Sequence, residues 1–390
     1  MGMRSQGLMT LFPIGRVVYG RPAAEAVVEE SERLGAKRVF LLVANSLKTQ
    51  TDAITEVEKA LGDRHAFTVA GVPPHTPESA VLAATASARR ERADLLVSIG
   101  GGSVTDAAKV ILVCLEHGID TQQKLAEHRM KWSNGSPLQP PFGPPRIPMI
   151  AVPTTLSASE YTPIGSATDD VTRAKNAYGH LQLNIASIIL DPKITLHTPE
   201  WLWLSTGIRA VDHAAEGLAS LRSNDFCDGL DASALRLLGS NLARVKANPS
   251  DMEARLTCQM GSWQATMPLS HTAMGLSHAI SHALGSACHV PYGYTSCVML
   301  PHVFAWNRKA NAERQERVAE CLGRPGAAAA EVLNDLIGSL GLPQRLRDVG
   351  VREEQLVGVA GATMHSHCTP ANPRPVTGPE DVMEVLKAAY

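Results

Sequence analysis

The sequence predicts a chain in two parts: an α/β part with a parallel sheet, then a part made of helices. Short apolar runs alternate with amphipathic segments through the first half, as in a parallel sheet covered on both faces by helices. Beyond Asp191-Pro192 the strand-like runs largely disappear. A length of 390 residues suffices for two domains, each with its own core. We therefore expect an α/β domain over residues 1–190 and an all-helical domain over 191–390.

Each element is predicted from its hydrophobic pattern. Strands are expected at the continuous apolar runs 16–20, 38–43, 66–72, 95–98 and 148–153. Helices are expected between them at 22–34, 51–61, 78–92 and 107–113. In the second part, helices are expected at 201–220, 229–247, 251–267, 273–284, 310–322, 328–340, 353–362 and 379–389. The stretch 118–147, proline-rich toward its end, is interpreted as a surface excursion before the fifth strand.

Composition and charge narrow the possible functions. A hydrophobic content of 44% and a charged content of 19% are typical of an ordinary soluble globular protein. The net charge of -2 provides no basic field for nucleic acid or an anionic membrane, and no apolar run approaches the length of a membrane span. The N-terminal residues do not have the pattern of a signal peptide. Seven scattered cysteines without a CxxC pair favour reduced thiols in the cytoplasm.

The segment between the fourth strand and the following helix carries the strongest functional signal. Gly100, Gly101 and Gly102 stand there, followed by Ser103. Glycines let a backbone approach a ligand closely and adopt positive φ. Amides at the start of the next helix favour an anion. The pattern predicts a turn that binds a pyrophosphate, and a tight turn without a ligand is the alternative.

A loop rich in hydroxyl groups follows the fifth strand. Thr154, Thr155 and Ser159 lie in the segment 153–162. Their hydroxyl groups and exposed amides are suited to contacts with phosphate or ribose. An ordinary Ser/Thr loop is the alternative.

Polar residues on one predicted helix share a face. Arg209, His213 and Glu216 have the spacing i, i+4 and i+7, which brings their side chains to one side of the helix. They are candidates for a site, and a solvated polar face is the alternative.

A second predicted helix carries His278 and His282 at i and i+4, among Ala, Ile and Leu. Such a pair can bind zinc or iron, or exchange protons, and a satisfied pair in the core is the alternative. Tyr292 follows in a predicted turn, 14 residues after His278. Its hydroxyl group could donate a hydrogen bond to a carbonyl or carboxylate, and a packing tyrosine is the alternative.

The order of these elements resembles that of the group III, iron-containing alcohol dehydrogenase superfamily. The segments that carry the resemblance are the glycine turn with Asp106 and Lys109, Pro153-Thr154-Thr155, Asp191-Pro192, the helices of His213 and His278, Leu300-Pro301-His302, and Asn372-Pro373-Arg374-Pro375. The resemblance implies a Rossmann-like nucleotide-binding domain, a helical catalytic domain, an active site in the cleft between them, and a homodimer. It implies that NADH or NADPH is bound by Gly100, Gly101, Gly102, Ser103, Asp106, Thr154, Thr155 and Ser159.

Two positions that bind metal in the metal-dependent members have changed in this chain. The resemblance maps the aspartate and three histidines of those members to Arg209, His213, His278 and Tyr292. A guanidinium cannot be deprotonated to bind a cation. Asp212 is next to His213, and adjacent residues on a helix face different ways, so it is expected to be a poor substitute ligand. Function without a metal is therefore expected, with iron or zinc as the alternative.

Within the superfamily, the chain is most similar to the maleylacetate reductases. The compact loop at 153–164 is like theirs, and they also lack the aspartate, although Arg209 and Tyr292 depart from their pattern. The resemblance implies NAD(P)H-dependent reduction of a carboxylate-bearing carbonyl or enone in aromatic-compound catabolism. Arg209 would stabilise an oxyanion or hold a carboxylate, and His278, His282 or His213 would supply the proton. The alternatives are a metal-dependent alcohol dehydrogenase with altered ligands and a binding protein that has lost catalysis.

The residue after the second strand predicts cofactor selectivity. NAD-selective members carry an aspartate there, which binds the ribose hydroxyls and repels a 2′-phosphate. This chain has Ala44 at that position, followed by Asn45 and Ser46. Because nothing there repels NADPH, we expect both NADH and NADPH to be used.

Overall fold

The computed structural model describes residues 9, 11–73, 76–133, 136–183 and 185–390. The chain divides into two compact units. The sheet unit comprises Phe12–Lys131 and Pro137–Thr198, and the helical unit comprises Pro199–Tyr390 together with the described residues of Met1–Leu11 and Trp132–Ser136. The predicted class, α/β followed by helices, is confirmed. The assignment of cofactor binding to residues 1–190 and of catalysis to 191–390 stays a prediction.

Helices and strands alternate through the sheet unit as the apolar pattern predicts. The strands up to residue 190 are β1 (Val17–Tyr19), β2 (Val39–Val43), β3 (His65–Ala70), β4 (Leu95–Gly100), β5 (Trp132–Ser133), β6 (Ser136–Pro137), β7 (Met149–Pro153), β8 (Ile164–Thr168), β9 (Lys175–Gly179) and β10 (Ile185–Leu190). The helices in the same stretch are α1 (Ala23–Arg33), α2 (Asn45–Gln50), α3 (Ala53–Leu61), α4 (Glu78–Arg90), α5 (Gly102–Glu116) and α6 (Gln122–Ala126).

One parallel sheet organises this unit, in the strand order β1-β10-β7-β4-β2-β3. Every residue of β2, β4, β7 and β10 is buried, as expected for strands covered on both faces. From β2 the chain moves outward to β3, whereas from β4 it moves the other way to β7. The order in which strands are added to the sheet therefore changes direction between the neighbours β2 and β4. At such a place, parallel sheets bind ligands beyond the carboxyl ends of their strands.

Five strands before residue 191 were not predicted: β5 and β6, a short pair within the stretch interpreted as a surface excursion, and β8, β9 and β10. β10 is continuously apolar and buried, and it completes the sheet between β1 and β7. β8 and β9 form an antiparallel hairpin whose sequences, IGSAT and KNAYG, have no continuous apolar run. The hairpin packs on α5, since a Cβ atom placed on Gly165 would overlap the carbonyl group of Asp106. Its pairing depends on that close backbone approach, which a hydrophobic pattern does not reveal.

The helical unit contains the helices predicted for the second part, with one large correction. They are α7 (Glu200–Ala219), α8 (Asp225–Ala247), α9 (Met252–Thr266), α10 (Leu269–Thr272), α11 (Leu276–Cys288), α12 (Tyr292–Cys321), α13 (Ala329–Ser339), α14 (Leu356–Met364) and α15 (Pro379–Ala389). Among helices in the described ranges, none is both long enough and apolar enough to cross a membrane.

The correction concerns α12, which was predicted only over 310–322 with a turn at 291–294. The helix instead begins at Tyr292, passes through Pro301, and departs from helical geometry at Asn311 (φ -144, ψ 35). Side-chain amides satisfy backbone carbonyl groups around this kink. Asn311 donates to the carbonyl of Ala219 (2.9 Å), and Gln315 donates to that of Phe304 (2.8 Å). These side-chain hydrogen bonds accompany an interruption that lies ten residues beyond the proline.

The close packing of α7 against α8 leads to a testable prediction about the free energy of unfolding. A Cβ atom on Gly217 would overlap the buried carboxyl group of Asp231, whereas one on Gly229 would meet nothing within 4 Å. We expect Gly217→Ala to destabilise the protein by about 1–3 kcal/mol through overpacking. Gly229→Ala, the matched control in α8, should stabilise it by up to about 1 kcal/mol through helix propensity. Urea denaturation measures both, and shifts of the same sign would contradict the close crossing.

Candidate active site

The glycine turn leads directly into α5. Gly101 is the N-cap residue, with φ -83 and ψ -173, and none of Gly100, Gly101 and Gly102 has positive φ. The expectation of positive φ is therefore wrong. Glycine is needed here for space. A Cβ atom on Gly100 would come 2.8 Å from Cγ2 of Val104, and one on Gly102 would come 2.9 Å from Oγ of Ser157.

The hydroxyl-rich loop lies beside this turn. Gly100 pairs with Pro153 at the end of β7, and the amide of Thr154 donates to the carbonyl of Gly100 (3.0 Å). The side chain of Thr155 meets that of Ser157, with 3.0 Å between their hydroxyl oxygens. Ser103 and the hydroxyl groups thus surround the N-terminus of α5, which is an arrangement suited to an anion. Contact of these residues with a cofactor stays a prediction.

Ala44 lies at the same edge of the sheet. It is the N-cap residue of α2, and its amide donates to the carbonyl of Ile99 (2.9 Å). Its Cβ atom is 3.2 Å from the position that a Cβ atom on Gly100 would take. The carboxyl ends of β2 and β4 therefore place Ala44 next to the glycine turn.

A buried lysine ties the loop to α5. Nζ of Lys109 donates to the carbonyl oxygens of Ser159 (2.6 Å) and Ile164 (2.9 Å) and to the hydroxyl groups of Ser159 (3.2 Å) and Thr162 (3.3 Å). Ser159 also donates to the carboxylate of Asp106. Burial lowers the pKa of Lys109 to about 8, against the opposing effect of nearby carboxylates. Asp106 and Ser159 are therefore held in place by the loop's own network.

In the helical unit, Arg209 of α7 belongs to a buried polar network. Its Nη1 donates to the hydroxyl group of Ser296 (3.0 Å) and lies 3.7 Å from Oδ2 of Asp212. The same Oδ2 accepts hydrogen bonds from Ser296 (2.7 Å) and Ser277 (2.9 Å). Asp212 thus joins α7 to α11 and α12. Within the described ranges, the remaining guanidinium nitrogens of Arg209 have no hydrogen-bond partner.

Glu216 of α7 holds His278 of α11. The carboxylate accepts from Nδ1 of His278 (2.7 Å) and from the amides of Gly275 (3.0 Å) and Ser277 (2.9 Å). Within the described ranges, Nε2 of His278 is buried without a hydrogen-bond partner, and so is Nδ1 of His213. The two imidazole rings stack with centroids 5.0 Å apart.

Burial sets the protonation states in this cluster. It lowers the pKa values of His213 and His278 well below the ordinary range, and the positive charge of Arg209 adds to the effect. It raises the pKa of Glu216 to about 7, and burial together with Glu216 raises the pKa of Asp212 to about 8. Both carboxylate oxygens of Glu216 accept hydrogen bonds, whereas Oδ1 of Asp212 accepts none within the described ranges. This geometry assigns the ionised carboxylate to Glu216.

The other predicted residues continue the cluster. The ring of His282 lies 6.5 Å from that of His278 and 6.1 Å from that of Tyr292, the first residue of α12. On its other side, His282 is 6.0 Å from His367, on which the indole of Trp132 stacks at 3.9 Å. The structure therefore brings all the predicted catalytic side chains into one cluster. Sequence reasoning missed His367 and Trp132, since no motif or helical spacing relates them to the other histidines.

The sheet unit has a turn suited to an anion where the strand order changes direction, and the helical unit has a buried cluster of titratable side chains. Together these features define a two-part, nucleotide-dependent enzyme fold. Residues 14–192 match the pattern of iron-containing alcohol dehydrogenases, and residues 203–390 match the C-terminal part of that family. The chain belongs to the iron-containing alcohol dehydrogenase family. It is an NAD(P)-dependent oxidoreductase.

Similar proteins include both dehydrogenases and reductases. The chain is 32% identical to a dehydrogenase of Alternaria alternata, over 91% of this chain and 99% of the relative. It is 30% identical to a maleylacetate reductase of Burkholderia cepacia, over 96% of this chain and 94% of the relative. The crystal structure of a maleylacetate reductase from Agrobacterium tumefaciens matches with a TM-score of 0.82 at 26% identity, covering 99% and 98% of the two chains. The predicted family, with maleylacetate reductase relatives, is confirmed.

The residues present do not fit the metal site that the family implies. Of the four mapped positions, only His213 and His278 offer imidazole nitrogens, and the guanidinium of Arg209 would repel a cation. Asp212, Glu216 and His278 do bring ligand-type atoms within 4.8 Å of one another, so the expectation that Asp212 faces away from this cluster is wrong. Oδ2 of Asp212, both oxygens of Glu216 and Nδ1 of His278 are engaged by serine hydroxyls, backbone amides and each other, whereas Oδ1 of Asp212 and Nε2 of His278 have no partner within the described ranges.

Proposed function

We propose that this chain is a metal-independent, NAD(P)H-dependent reductase of a small carboxylate-bearing carbonyl or enone, in aromatic-compound catabolism. The observation that carries the proposal is the guanidinium of Arg209, at the position of a metal-binding aspartate, with nitrogens free for a ligand within the described ranges. A fixed, partly buried cation favours a carboxylate or a developing oxyanion. The maleylacetate reductase relatives support the same substrate class. A homodimer stays a prediction.

The chemistry follows from these groups. Bound NAD(P)H would supply a hydride to the electrophilic carbon of the substrate, and the electron pair of the double bond would move to oxygen, directly in a carbonyl or as an enolate in an enone. Arg209 stabilises that negative charge or holds a substrate carboxylate. A histidine of the cluster then gives a proton to the oxygen, or to the carbon next to it, which completes the reduction.

A panel of carbonyl compounds and enones, with and without carboxylates, tests this function. We expect NAD(P)H oxidation to be fastest with carboxylate-bearing substrates and to be unchanged after treatment with a chelator. One tightly bound metal per chain, with activity lost on chelation and restored on readdition, would instead support the alcohol dehydrogenase alternative. The Asp212, Glu216 and His278 group is the observation that favours it. Absence of NADH binding in a fluorescence titration would indicate a protein that has lost catalysis.

Cofactor selectivity is predicted to be weak and to depend on Ala44. Ala44→Asp should shift the ratio of kcat/KM values toward NADH by about tenfold, because a carboxylate near the 2′-phosphate adds charge repulsion of roughly 1.4 kcal/mol. Ala44→Asn is the matched control, with the same shape and no charge, and should shift the ratio little. Steady-state kinetics with both cofactors measure the effect. A wild-type kcat/KM with NADPH that is several orders of magnitude below that with NADH would contradict the prediction. It would show that Ala44 does not occupy the position that sets cofactor selectivity.

A further inference from the structure

We infer that Glu216 is a positioning residue that selects His278, among the histidines of the cluster, to exchange a proton with the substrate oxygen. This inference rests on the proposed reductase function. Glu216 itself is not expected to touch the substrate, since both of its oxygens are occupied by donors of the protein.

The hydrogen bond between the two residues fixes the tautomer of the imidazole. A carboxylate can only accept, so the 2.7 Å contact requires the proton of neutral His278 to be on Nδ1. The lone pair is then on Nε2, the buried nitrogen that has no hydrogen-bond partner within the described ranges. A buried acceptor without a partner is costly unless a ligand satisfies it. The geometry therefore leaves Nε2 as the atom that meets the substrate oxygen.

Two backbone amides fix the carboxylate in turn. Gly275 is the N-cap residue of α11 and Ser277 lies in its first turn, so Glu216 caps the helix that carries His278. His278 and its carboxylate partner Glu216 are thus both fixed at the N-terminal end of α11. His213 differs, because no described carboxylate lies within hydrogen-bond distance of its ring and its Nδ1 is unpartnered.

The proton exchange balances in both directions. In the oxidation of the hydroxyl compound, bound NAD(P)+ would accept the hydride from carbon, while the O–H bond breaks and Nε2 takes the proton. The ionised carboxylate of Glu216 stabilises the imidazolium on its other side, as the carboxylate does in a carboxylate–histidine pair of a hydrolase triad. In the reduction, Nε2 first takes up a proton from solvent, and the imidazolium, stabilised by the carboxylate of Glu216, gives that proton to oxygen as the hydride reaches carbon.

The first test is a direct reading of the tautomer, which does not depend on activity. NMR spectra of protein labelled with ¹⁵N-histidine are recorded for wild type and for His278→Asn, which identifies the signals of His278. We expect the Nδ1–H tautomer to dominate in wild type and to lose that dominance in Glu216→Gln, because an amide has one acceptor oxygen for three donors. An Nε2–H tautomer in wild type would overturn the inference, even if the protein proves to be a reductase.

The second test is kinetic and has a matched control. Asn372 also caps α11, because its Oδ1 accepts from the amide of Leu276 (3.1 Å), but it binds no histidine. We expect Glu216→Gln to lower kcat by about 10- to 100-fold with little change in KM, the range seen when a carboxylate partner of a functional histidine is removed. Asn372→Ala should destabilise the protein and leave kcat within about 3-fold of wild type.

Equal losses of kcat in the two variants, in proportion to their losses of stability, would reduce Glu216 to a helix cap and overturn the inference. Wild-type protein without NAD(P)H-dependent activity on any carbonyl or enone would refute the proposed function instead. The NMR result would still decide whether Glu216 fixes the tautomer of His278, so the two failures are distinguishable.

Discussion

Replacing Arg209 by alanine is expected to lower kcat/KM by about 10²- to 10³-fold, the scale of losing one preorganised donor at a developing oxyanion. The guanidinium belongs to the same buried cluster as His213 and His278, and its positive charge, added to burial, lowers the pKa of both rings. NADH affinity should barely change, because the anion-binding turn belongs to the sheet unit. Stopped-flow reduction and NADH titration measure the two quantities separately.

Two further variants test the reason for that loss. Ser296→Ala removes the hydrogen-bond partner of Arg209 and keeps the charge, so it should cost far less activity than Arg209→Ala. Arg209→Asp would recreate a carboxylate at the mapped ligand position. The role of Arg209 as the substitute for a metal would be contradicted by two results together. These are wild-type activity that depends on metal, and higher metal-dependent activity in Arg209→Asp.

The second large effect is expected at the glycine turn. Gly101→Val should raise the Kd for NADH by about 10²-fold, because the side chain blocks the approach of a phosphate to the amides and removes one or two charge-assisted hydrogen bonds of about 1.5–3 kcal/mol each. Even a Cβ atom at this position comes 3.1 Å from Cγ2 of Thr155, so the loop must also yield slightly. Fluorescence titration measures the binding.

Gly143→Val is the matched control in the same unit. A Cβ atom on Gly143 meets nothing within 4 Å, and we expect NADH binding to be unchanged there. Circular dichroism must show both variants folded. Unchanged NADH binding in a folded Gly101→Val protein would remove the glycine turn from the cofactor site.

The parts of the fold that depend on local pattern could be predicted, and those that depend on tertiary support could not. β2, β4 and β7 are buried apolar runs, and the sequence shows them directly. The β8–β9 hairpin has no continuous apolar run, and it packs closely on α5 at Gly165. At the kink of α12, Asn311 and Gln315 donate to carbonyl groups 92 and 11 positions away in the chain.

The candidate site shows the same division. Helical spacing predicted that Arg209, His213 and Glu216 share one face and that His278 and His282 share another. The contact between Glu216 and His278 joins residues 62 positions apart, so no spacing rule could reveal it. The rule that adjacent helical residues face apart was also too strict for Asp212. Side chains of α11 and α12 reach the carboxylate of Asp212. Its Oδ2 atom lies 3.7 Å from Nη1 of Arg209 and 3.7 Å from Nδ1 of His278.

Lys109 has a consequence for how the sheet unit can be probed. Its side chain is completely buried and its ammonium group is surrounded by oxygen acceptors of one loop. Amine-acylating reagents need a free, unprotonated amine, so they can reach Nζ only when the loop detaches from α5. The acylation rate of Lys109, followed by peptide mass mapping, therefore reports how often the unit opens. Its slowing on addition of NADH would measure how far the bound nucleotide suppresses that opening.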